Sequence, residues 1–335
     1  MTTAPTAARP RPAAANPRLL VVAAAATLSV SALFVKLSGV TTSTAAFYRC
    51  ALALPALVPL AWREIRAFGP RRARWVGIDL LAGAFLGADL MLWGESIGTV
   101  GAGIATVVNN VQVVVLPLLA FAIARERVSG AFLLMTPVML GGVALAGGIA
   151  DSQAFGSAPG YGALFGAASG VAYAGYLFLL RLGGGRHRAT PVCLATASAA
   201  ATALVVGGPW RGVDFAIGWS AFGWLLALAL SAQVVAWLLL GAVLPRLPTS
   251  VGATLLLLQP VLAVLLGIAL LGEQPSAWQL LGCALVVAVV WWTSRGGPDR
   301  GEETEVTASS GAVPGDPRDG AELPVAQEHR AGQAC

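Results

Sequence analysis

The sequence carries little charge for its length. Only 11% of its 335 residues are Asp, Glu, Lys or Arg, whereas 57% are hydrophobic and the mean hydropathy is +0.76. Soluble globular domains contain about 25% charged residues, so this composition excludes that class. The chain is predicted to be an all-α integral membrane protein.

Lysine and histidine are almost missing. Lys36 is the only lysine and follows Val35, so the sequence lacks the Gly-Lys-Ser/Thr core of a phosphate-binding loop. This excludes an ATP-driven pump within the chain. The two histidines, His187 in a loop and His329 in the C-terminal tail, cannot supply a zinc site in the membrane. We therefore expect no metal ion and no cofactor.

Cysteine is also scarce. Cys50, Cys193 and Cys283 lie inside separate apolar segments, and Cys335 ends the sequence. This spacing predicts neither a metal site nor a disulfide framework. We interpret the three membrane cysteines as small apolar packing residues.

Ten apolar segments are long enough to cross a bilayer. A hydrocarbon core of about 30 Å takes about 20 helical residues at about 1.5 Å each. The ten predicted helices cover residues 19–37, 43–62, 75–96, 99–123, 131–149, 159–181, 190–207, 217–241, 248–271 and 276–293. Residues 1–18 and 294–335 have no apolar periodicity, and we predict that they are disordered tails.

Arginine predicts the orientation of these helices. The segment before predicted helix 1 and the connections after helices 2, 4, 6, 8 and 10 contain arginine, whereas those on the other side contain only Arg211. Short cytoplasmic loops keep an excess of positive residues. Both termini are therefore predicted to be cytoplasmic. The richness in Arg, Ala, Gly and Val is typical of a high-GC bacterial genome.

Two stretches of the sequence resemble each other. They are VQVVVLPLLAFAIARERVS at 111–129 and LQPVLAVLLGIALLGEQPS at 258–276, with matching Gln112 and Gln259, Glu126 and Glu273, and Ser129 and Ser276. We interpret residues 19–149 and 150–293 as two copies of a five-helix unit. Because five is odd, the copies are inverted in the membrane, as in secondary transporters whose substrate sites lie near the midplane.

The pattern resembles the EamA-type transporters of the drug/metabolite transporter superfamily. The resemblance rests on SVSALFVKLSGVTTSTAAFYR at 29–49 and on the ARERVS and LGEQPS turns, and it covers about residues 19–293. It implies export of a small metabolite, often an amino acid, across the bacterial inner membrane by alternating access. Pro260 directly follows Gln259, as in the family pattern, but Pro117 lies further beyond Gln112. Exact symmetry of two Gln sites is therefore not implied.

Other functions stay open at this point. A cationic drug/proton exchanger of the same fold is one, and a non-transporting scaffold or channel-like protein is another. A membrane transferase is disfavoured because Asp89 and Glu95 lie about 120° apart around a helix, which is a poor arrangement for acid–base catalysis. The expected partners are a small-molecule substrate and the lipid bilayer, with a proton as a candidate coupling ion. We expect no nucleic acid, and the oligomeric state stays open.

Carboxamides in the middle of predicted helices 4 and 9 are candidate substrate ligands. Thr106, Asn109 and Gln112 spread over about 120° of helix 4, which is enough for one polar face. Asn110 lies beside Thr106, and Gln259 has a similar depth in helix 9. The alternative is that these groups only form hydrogen bonds between helices.

Charged residues within the predicted spans are a second set of candidates. Arg49 and Asp89 have similar depth and opposite sign, so either they form a structural ion pair or Arg49 binds a substrate anion for which Asp89 competes. Trp93 shares the helical face of Asp89 and is a candidate pocket wall or an interfacial residue. Lys36 and Glu95, at the outer helix ends, are candidate gating charges or interfacial side chains.

Two further features complete the candidate site. Gln233 on predicted helix 8 and Tyr176, which shares a face of helix 6 with Tyr173, either line a cavity or pack between helices.

Outside the site, Asp79 is expected to cap helix 3 or to pair near Arg74. Proline residues should bend two helices, with Pro55 and Pro59 acting on helix 2 and Pro260 on helix 9.

Overall fold

Helices account for all regular secondary structure in the part of the chain that the structure describes. The computed structural model describes residues 17–125, 130–148, 150–151, 153–182, 187–236, 239, 255–256 and 258–295. The α-helices are α1 Pro17–Ser38, α2 Thr42–Ala51, α3 Leu54–Phe68, α4 Ala73–Val100, α5 Ala102–Asn109, α6 Gln112–Ala124, α7 Gly130–Ala146, α8 Pro159–Leu182, α9 Ala189–Val205, α10 Gly207–Arg211, α11 Trp219–Leu228, α12 Leu258–Leu271 and α13 Ala277–Arg295. A π-helix, Ala229–Val235, continues α11.

Five helical segments are long and apolar enough to cross a membrane. They are Arg18–Ser38, Ala73–Val100, Ala102–Ile123, Pro159–Leu182 and Ala189–Arg211. The bent pair α2 and α3 forms a sixth if it is one span, and four shorter apolar helices cover Phe132–Ala146, Trp219–Val235, Leu258–Leu271 and Ala277–Trp292. The prediction of an all-helical, multi-pass membrane protein is confirmed. The count of ten spans stays a prediction, although each predicted span overlaps one of these segments.

Predicted helices 2 and 4 each contain a break. Helix 2 bends by 41° between α2 and α3, where Pro55 stands in the first turn of α3 and cannot donate a backbone hydrogen bond. Helix 4 breaks at Asn110 and Val111, whose amides bond three residues back to the carbonyls of Val107 and Val108 at 3.0 and 3.1 Å. The sequence predicted the first break through its prolines and did not predict the second.

The helices before residue 150 pack mainly against those after it. α4 lies against α8 and α9, α5 and α1 lie against α12, and α7 lies against α13. Small residues permit this approach. A Cβ atom on Gly83 of α4 would lie 2.2 Å from the carbonyl oxygen of Ala195 on α9, and one on Gly282 of α13 would lie 2.4 Å from the amide nitrogen of Ala146. The two parts of the chain therefore share one extended interface.

The outer surface is apolar. Large side chains such as Leu134, Val205 and Trp219 are 69%, 70% and 89% exposed. On a soluble monomer, many such residues would form an unusually large apolar surface. Here they are the side chains that a surrounding bilayer would contact.

Candidate functional site

A cluster of polar side chains, four of them buried and Asn109 half-buried, lies where the two parts of the chain meet. Before residue 150, α2 contributes Arg49, α4 contributes Asp89 and α5 contributes Asn109. After residue 150, α8 contributes Ser169 and the π-helix contributes Gln233. Single π-helical turns occur often at functional sites. We call these five residues the central cluster.

Asp89 lies at one end of the central cluster and is held by neutral donors. Its Oδ1 accepts a hydrogen bond of 2.6 Å from the Ser169 hydroxyl and one of 3.1 Å from the Asn109 amide group. The same Asn109 nitrogen lies 2.5 Å from Ser169 Oγ, which closes a triangle of three side chains. Asp89 is only 6% exposed. The Asp89 Oδ2 atom makes no hydrogen bond within the described part of the chain.

Arg49 lies at the other end of the central cluster. Its guanidinium has five N–H donors, and few of them form hydrogen bonds to the described residues. Its Nε donates to Gln233 Oε1 at 3.2 Å, and Gln233 Nε2 donates in turn to Thr196 Oγ1 at 3.3 Å. The guanidinium carbon lies 5.9 Å from the centroid of the Trp93 ring. The two Nη groups form no hydrogen bond to any residue that the structure describes. These donors can bind a planar anion, because guanidinium matches a carboxylate in a two-pronged arrangement.

The charges of Arg49 and Asp89 influence each other without direct contact. They interact electrostatically across the central cluster. Within the described residues, however, the ion pairs of the protein are formed by other side chains. Of the two alternatives, the direct structural ion pair is therefore disfavoured, because each group bonds instead to neutral side chains. A buried cation and a buried carboxylate are thus both available to a third, charged molecule.

Aromatic side chains flank the central cluster. Tyr173 and Tyr176 of α8 lie with their ring centroids 5.7 Å apart, and both interact electrostatically with Asp89 and Arg49. Tyr176 is 1% exposed and Trp93 is 8% exposed. Apolar walls with a few convergent polar groups are typical of small-molecule sites.

The other predicted carboxamides have separate surroundings. Thr106 donates to the carbonyl of Ala102 at 2.8 Å, and Asn110 donates to the carbonyl of Thr106 at 2.8 Å, so both bond within their own helix. Gln112 Oε1 is buried and has no hydrogen-bond partner in the described part of the chain. The backbone carbonyl of Gln259 accepts a 2.9 Å bond from Ser29. That Gln112 and Gln259 line one cavity stays a prediction.

Lys36 belongs to an ion pair at the start of α5. Its Nζ lies 3.0 Å from Glu273 Oε1. The buried Glu273 carboxylate also accepts hydrogen bonds from the amides of Ala102 at 2.6 Å and Gly103 at 3.1 Å. A carboxylate at this position is favoured by the unpaired amides and dipole of a helix N-terminus. The sequence singled out Glu273 only as a marker of the repeat, and its capping role was missed.

Glu95 is likewise paired. Its Oε1 accepts a hydrogen bond from Thr42 Oγ1, and its Oε2 accepts one from Arg211 Nη2, each at 2.8 Å.

Asp79 forms a two-pronged ion pair with Arg71 at 2.5 and 3.0 Å. The expected neighbour Arg74 instead lies 4.5 Å from the Trp75 ring centroid. Residues five apart lie about 140° apart around a helix, whereas Arg71 precedes α4 and its side chain can reach Asp79.

Ser169 and Thr196 are the members of this network that sequence reasoning missed. Ser169 stands within GALFGAASG, a stretch that predicts close helix packing through its glycines. Thr196 lies in an alanine-rich helix. Small hydroxyl residues are common in membrane helices, so no sequence signal separates these two from the others.

An apolar groove of about 730 Å³ lies apart from the central cluster, between α5, α12 and α13. The described residues that line it are Val107, Leu255, Leu258, Pro260, Val261, Val264, Leu265, Leu280, Cys283, Ala284, Val287, Ala288 and Trp291, and their side chains are apolar or only weakly polar. It contains none of the predicted substrate ligands. Among the described residues there is also no group of three or more His, Cys, Asp or Glu side chains that could hold a metal ion.

Comparison with known proteins agrees with the two-part organisation. The model of the EamA-like transporter family matches residues 17–148 and 160–295. The comparison with curated proteins found no match. A solved structure described as "Crystal structure of protein" is 19% identical, with a TM-score of 0.54, and the alignment covers 84% of this chain and 98% of that chain. The likeness to that structure shows the fold, and the two family matches show that this chain belongs to the EamA-like transporter family.

Proposed function

We propose that the protein is a secondary transporter that exports a small, amino-acid-like metabolite across the bacterial inner membrane. The single observation that supports this most is the central cluster, because its hydrogen bonds join the two parts of the chain. Arg49 bonds to Gln233, and Asp89 bonds to Ser169. In transporters built from inverted repeats, the substrate binds between the repeats.

The charges of the central cluster suit a zwitterion. Arg49 offers a carboxylate its Nη donors, which bond to none of the described residues, and Asp89 offers its Oδ2 for an ammonium group. Charged groups within a membrane are costly, and such residues commonly mark the path of a substrate. Trp93 and the Tyr173–Tyr176 pair would contact the remaining apolar part of the solute.

Two carboxylates support alternating access. Glu273, from the second predicted repeat, accepts hydrogen bonds from the first amides of α5 in the first repeat. Glu64, from the first repeat, accepts bonds from the amides of Arg188, Ala189 and Thr190 at the start of α9 in the second. With both termini cytoplasmic and ten spans, Glu273 faces the periplasm and Glu64 the cytoplasm. We propose that each side of the transporter opens when its own carboxylate leaves the helix.

A cationic drug/proton exchanger is the second candidate. Among the described residues, no cation contacts Asp89 directly, and aromatic rings lie near it. A lipophilic cation could use both features. In that case Arg49 would oppose binding rather than contribute to it.

Exchange in proteoliposomes tests the two candidates. Vesicles containing purified protein are preloaded with an unlabelled amino acid, and uptake of the labelled amino acid is measured for each member of a panel. We expect saturable exchange for at least one amino acid, with loss of exchange in Arg49→Ala at equal protein content. Saturable exchange of a cationic dye, unchanged or increased in Arg49→Ala and without amino-acid exchange, would support the drug exchanger instead.

A further inference from the structure

We propose that Asp89 is the proton-binding residue of the transport cycle and that proton and substrate occupy it alternately. The inference rests on the proposed transport function, and it names the coupling ion and its site. On binding, a proton from water forms an O–H bond with Asp89. The same bond breaks when the cationic group of the solute arrives, and the proton returns to water.

Asp89 differs from every other buried carboxylate in the described part of the chain. Those carboxylates are Asp79, Glu95 and Glu273, and each is within ion-pair distance of an arginine or lysine. A paired carboxylate stays ionised because its partner stabilises the charge. Asp89 is buried like the others, yet its direct partners are the neutral Ser169 and Asn109.

The hydrogen-bond pattern indicates which oxygen would take the proton. Ser169 has one hydroxyl hydrogen, and its oxygen already lies 2.5 Å from the donor nitrogen of Asn109. That hydrogen is therefore directed to Asp89 Oδ1, which acts as an acceptor for both neighbours. Oδ2 is left without a hydrogen bond in the described part of the chain, so it can carry a proton while the bonds to Oδ1 persist.

Few charged or titratable groups lie around Asp89. Arg49 and Cys50 approach from α2, and Tyr173 and Tyr176 approach from α8. Of these, only Arg49 carries a fixed positive charge, and its Nε is directed to Gln233. Lys36 on α1 is paired with Glu273. The charge of Asp89 is thus only partly balanced within the protein, and either a proton or a cationic group of the solute can complete the balance.

Proton and solute would then cross the membrane in opposite directions, each step of one being coupled to a step of the other. A solute that brings an ammonium group needs the ionised carboxylate, whereas the empty site favours the protonated one. Release of the solute to the periplasm would be followed by proton uptake there, and binding of solute from the cytoplasm would release that proton inside. An inward proton gradient would therefore drive export.

Infrared spectroscopy tests the proton site without any substrate. The purified full-length protein is titrated from neutral to acidic pH, and the carbonyl stretch of protonated carboxylic acids is followed. We expect the wild-type titration to contain a component that is missing in Asp89→Asn and kept in Glu95→Gln, which removes an ion-paired carboxyl from the same helix. A wild-type titration unchanged in Asp89→Asn would overturn the proposal.

Ser169→Ala gives a second measurement if Asp89→Asn does not fold. It should shift the titration midpoint, because the ionised form of Asp89 loses its 2.6 Å hydrogen bond.

Coupling is measured separately in vesicles. A pH gradient should accelerate wild-type uptake of the exchanged amino acid and should not accelerate any uptake that remains in Asp89→Asn, whose amide cannot take up a proton. If the infrared band is present while no solute is transported, the proposed function fails and the proton site stands. If transport is saturable but the Asp89 band is missing, the proton site is wrong and the transporter stands.

Discussion

At the residue scale, the central cluster is defined by what its charged groups do not contact. Arg49 and Asp89 are buried, oppositely charged and close enough to interact, yet each is bonded to neutral side chains. Arg71 and Asp79 show the other arrangement, a direct two-pronged ion pair. A direct pair mainly stabilises the fold, whereas separated charges are available to a ligand.

This contrast gives a prediction for two arginines. Arg49→Lys keeps the charge but loses the planar fork, so we expect the apparent affinity for the exchanged solute to fall about tenfold, equivalent to about 1.4 kcal/mol. The midpoint of thermal unfolding should change little. Arg71→Lys is the matched control, and it should lower that midpoint without changing affinity. Vesicle exchange and thermal unfolding at equal membrane abundance measure both quantities. Normal exchange by Arg49→Lys would assign Arg49 to the fold alone.

Gln112 offers a second prediction at this scale. Its Oε1 is buried and has no hydrogen-bond partner among the described residues. Replacing Gln112 with Leu therefore removes an unsatisfied acceptor and should not lower the thermal midpoint. If a solute donates to this oxygen, Gln112→Leu should weaken binding by about 1–3 kcal/mol, or tenfold or more. Asn110→Leu is the control, because the Asn110 side chain donates to the backbone carbonyl of Thr106 within predicted helix 4. A variant at Gln112 that unfolds earlier but binds normally would show that this residue is a packing group.

At the scale of helices, the sequence predicted the positions of the elements better than their ends. Apolar length alone located the helices, since each predicted span overlaps a described one. It did not predict the break at Asn110 and Val111, because no proline or glycine marks it.

The sequence also gave Glu273 no role, since capping depends on a loop and a helix that are distant in the sequence. Asn109 and Gln233 were recognised because carboxamides are conspicuous in apolar segments, whereas Ser169 was not.

The contact between Glu273 and Lys36 gives a prediction for the start of α5. Glu273→Gln removes the charge that favours the helix N-terminus, and Lys36→Met removes the cation. Because the two residues share one interaction, we expect their effects on the free energy of unfolding to be non-additive by about 0.5–3 kcal/mol. Additive effects would contradict a shared role. Glu64→Gln combined with Lys36→Met is the control pair, and its effects should add.

For the whole molecule, the predicted orientation is open to direct test. The protein belongs to a family of membrane transporters, and its two family matches coincide closely with the two predicted repeats. Ten spans with cytoplasmic termini place Asp214 outside and His187 inside. In a variant without native cysteines, a membrane-impermeant thiol reagent applied to intact cells should label Asp214→Cys but not His187→Cys. The reverse pattern would invert the topology and the assignment of Glu273 and Glu64 to their sides.

The central claim is that the solute binds in the cluster between the two repeats. It is tested most directly by the labelling rate of Ser169→Cys, in a variant that keeps Cys283 as its only other cysteine. The solute identified by vesicle exchange should slow labelling of Ser169→Cys about tenfold or more when saturating, and should leave Cys283 in the apolar groove unaffected. Protection of Cys283 instead, or no protection of Ser169→Cys, would contradict the account.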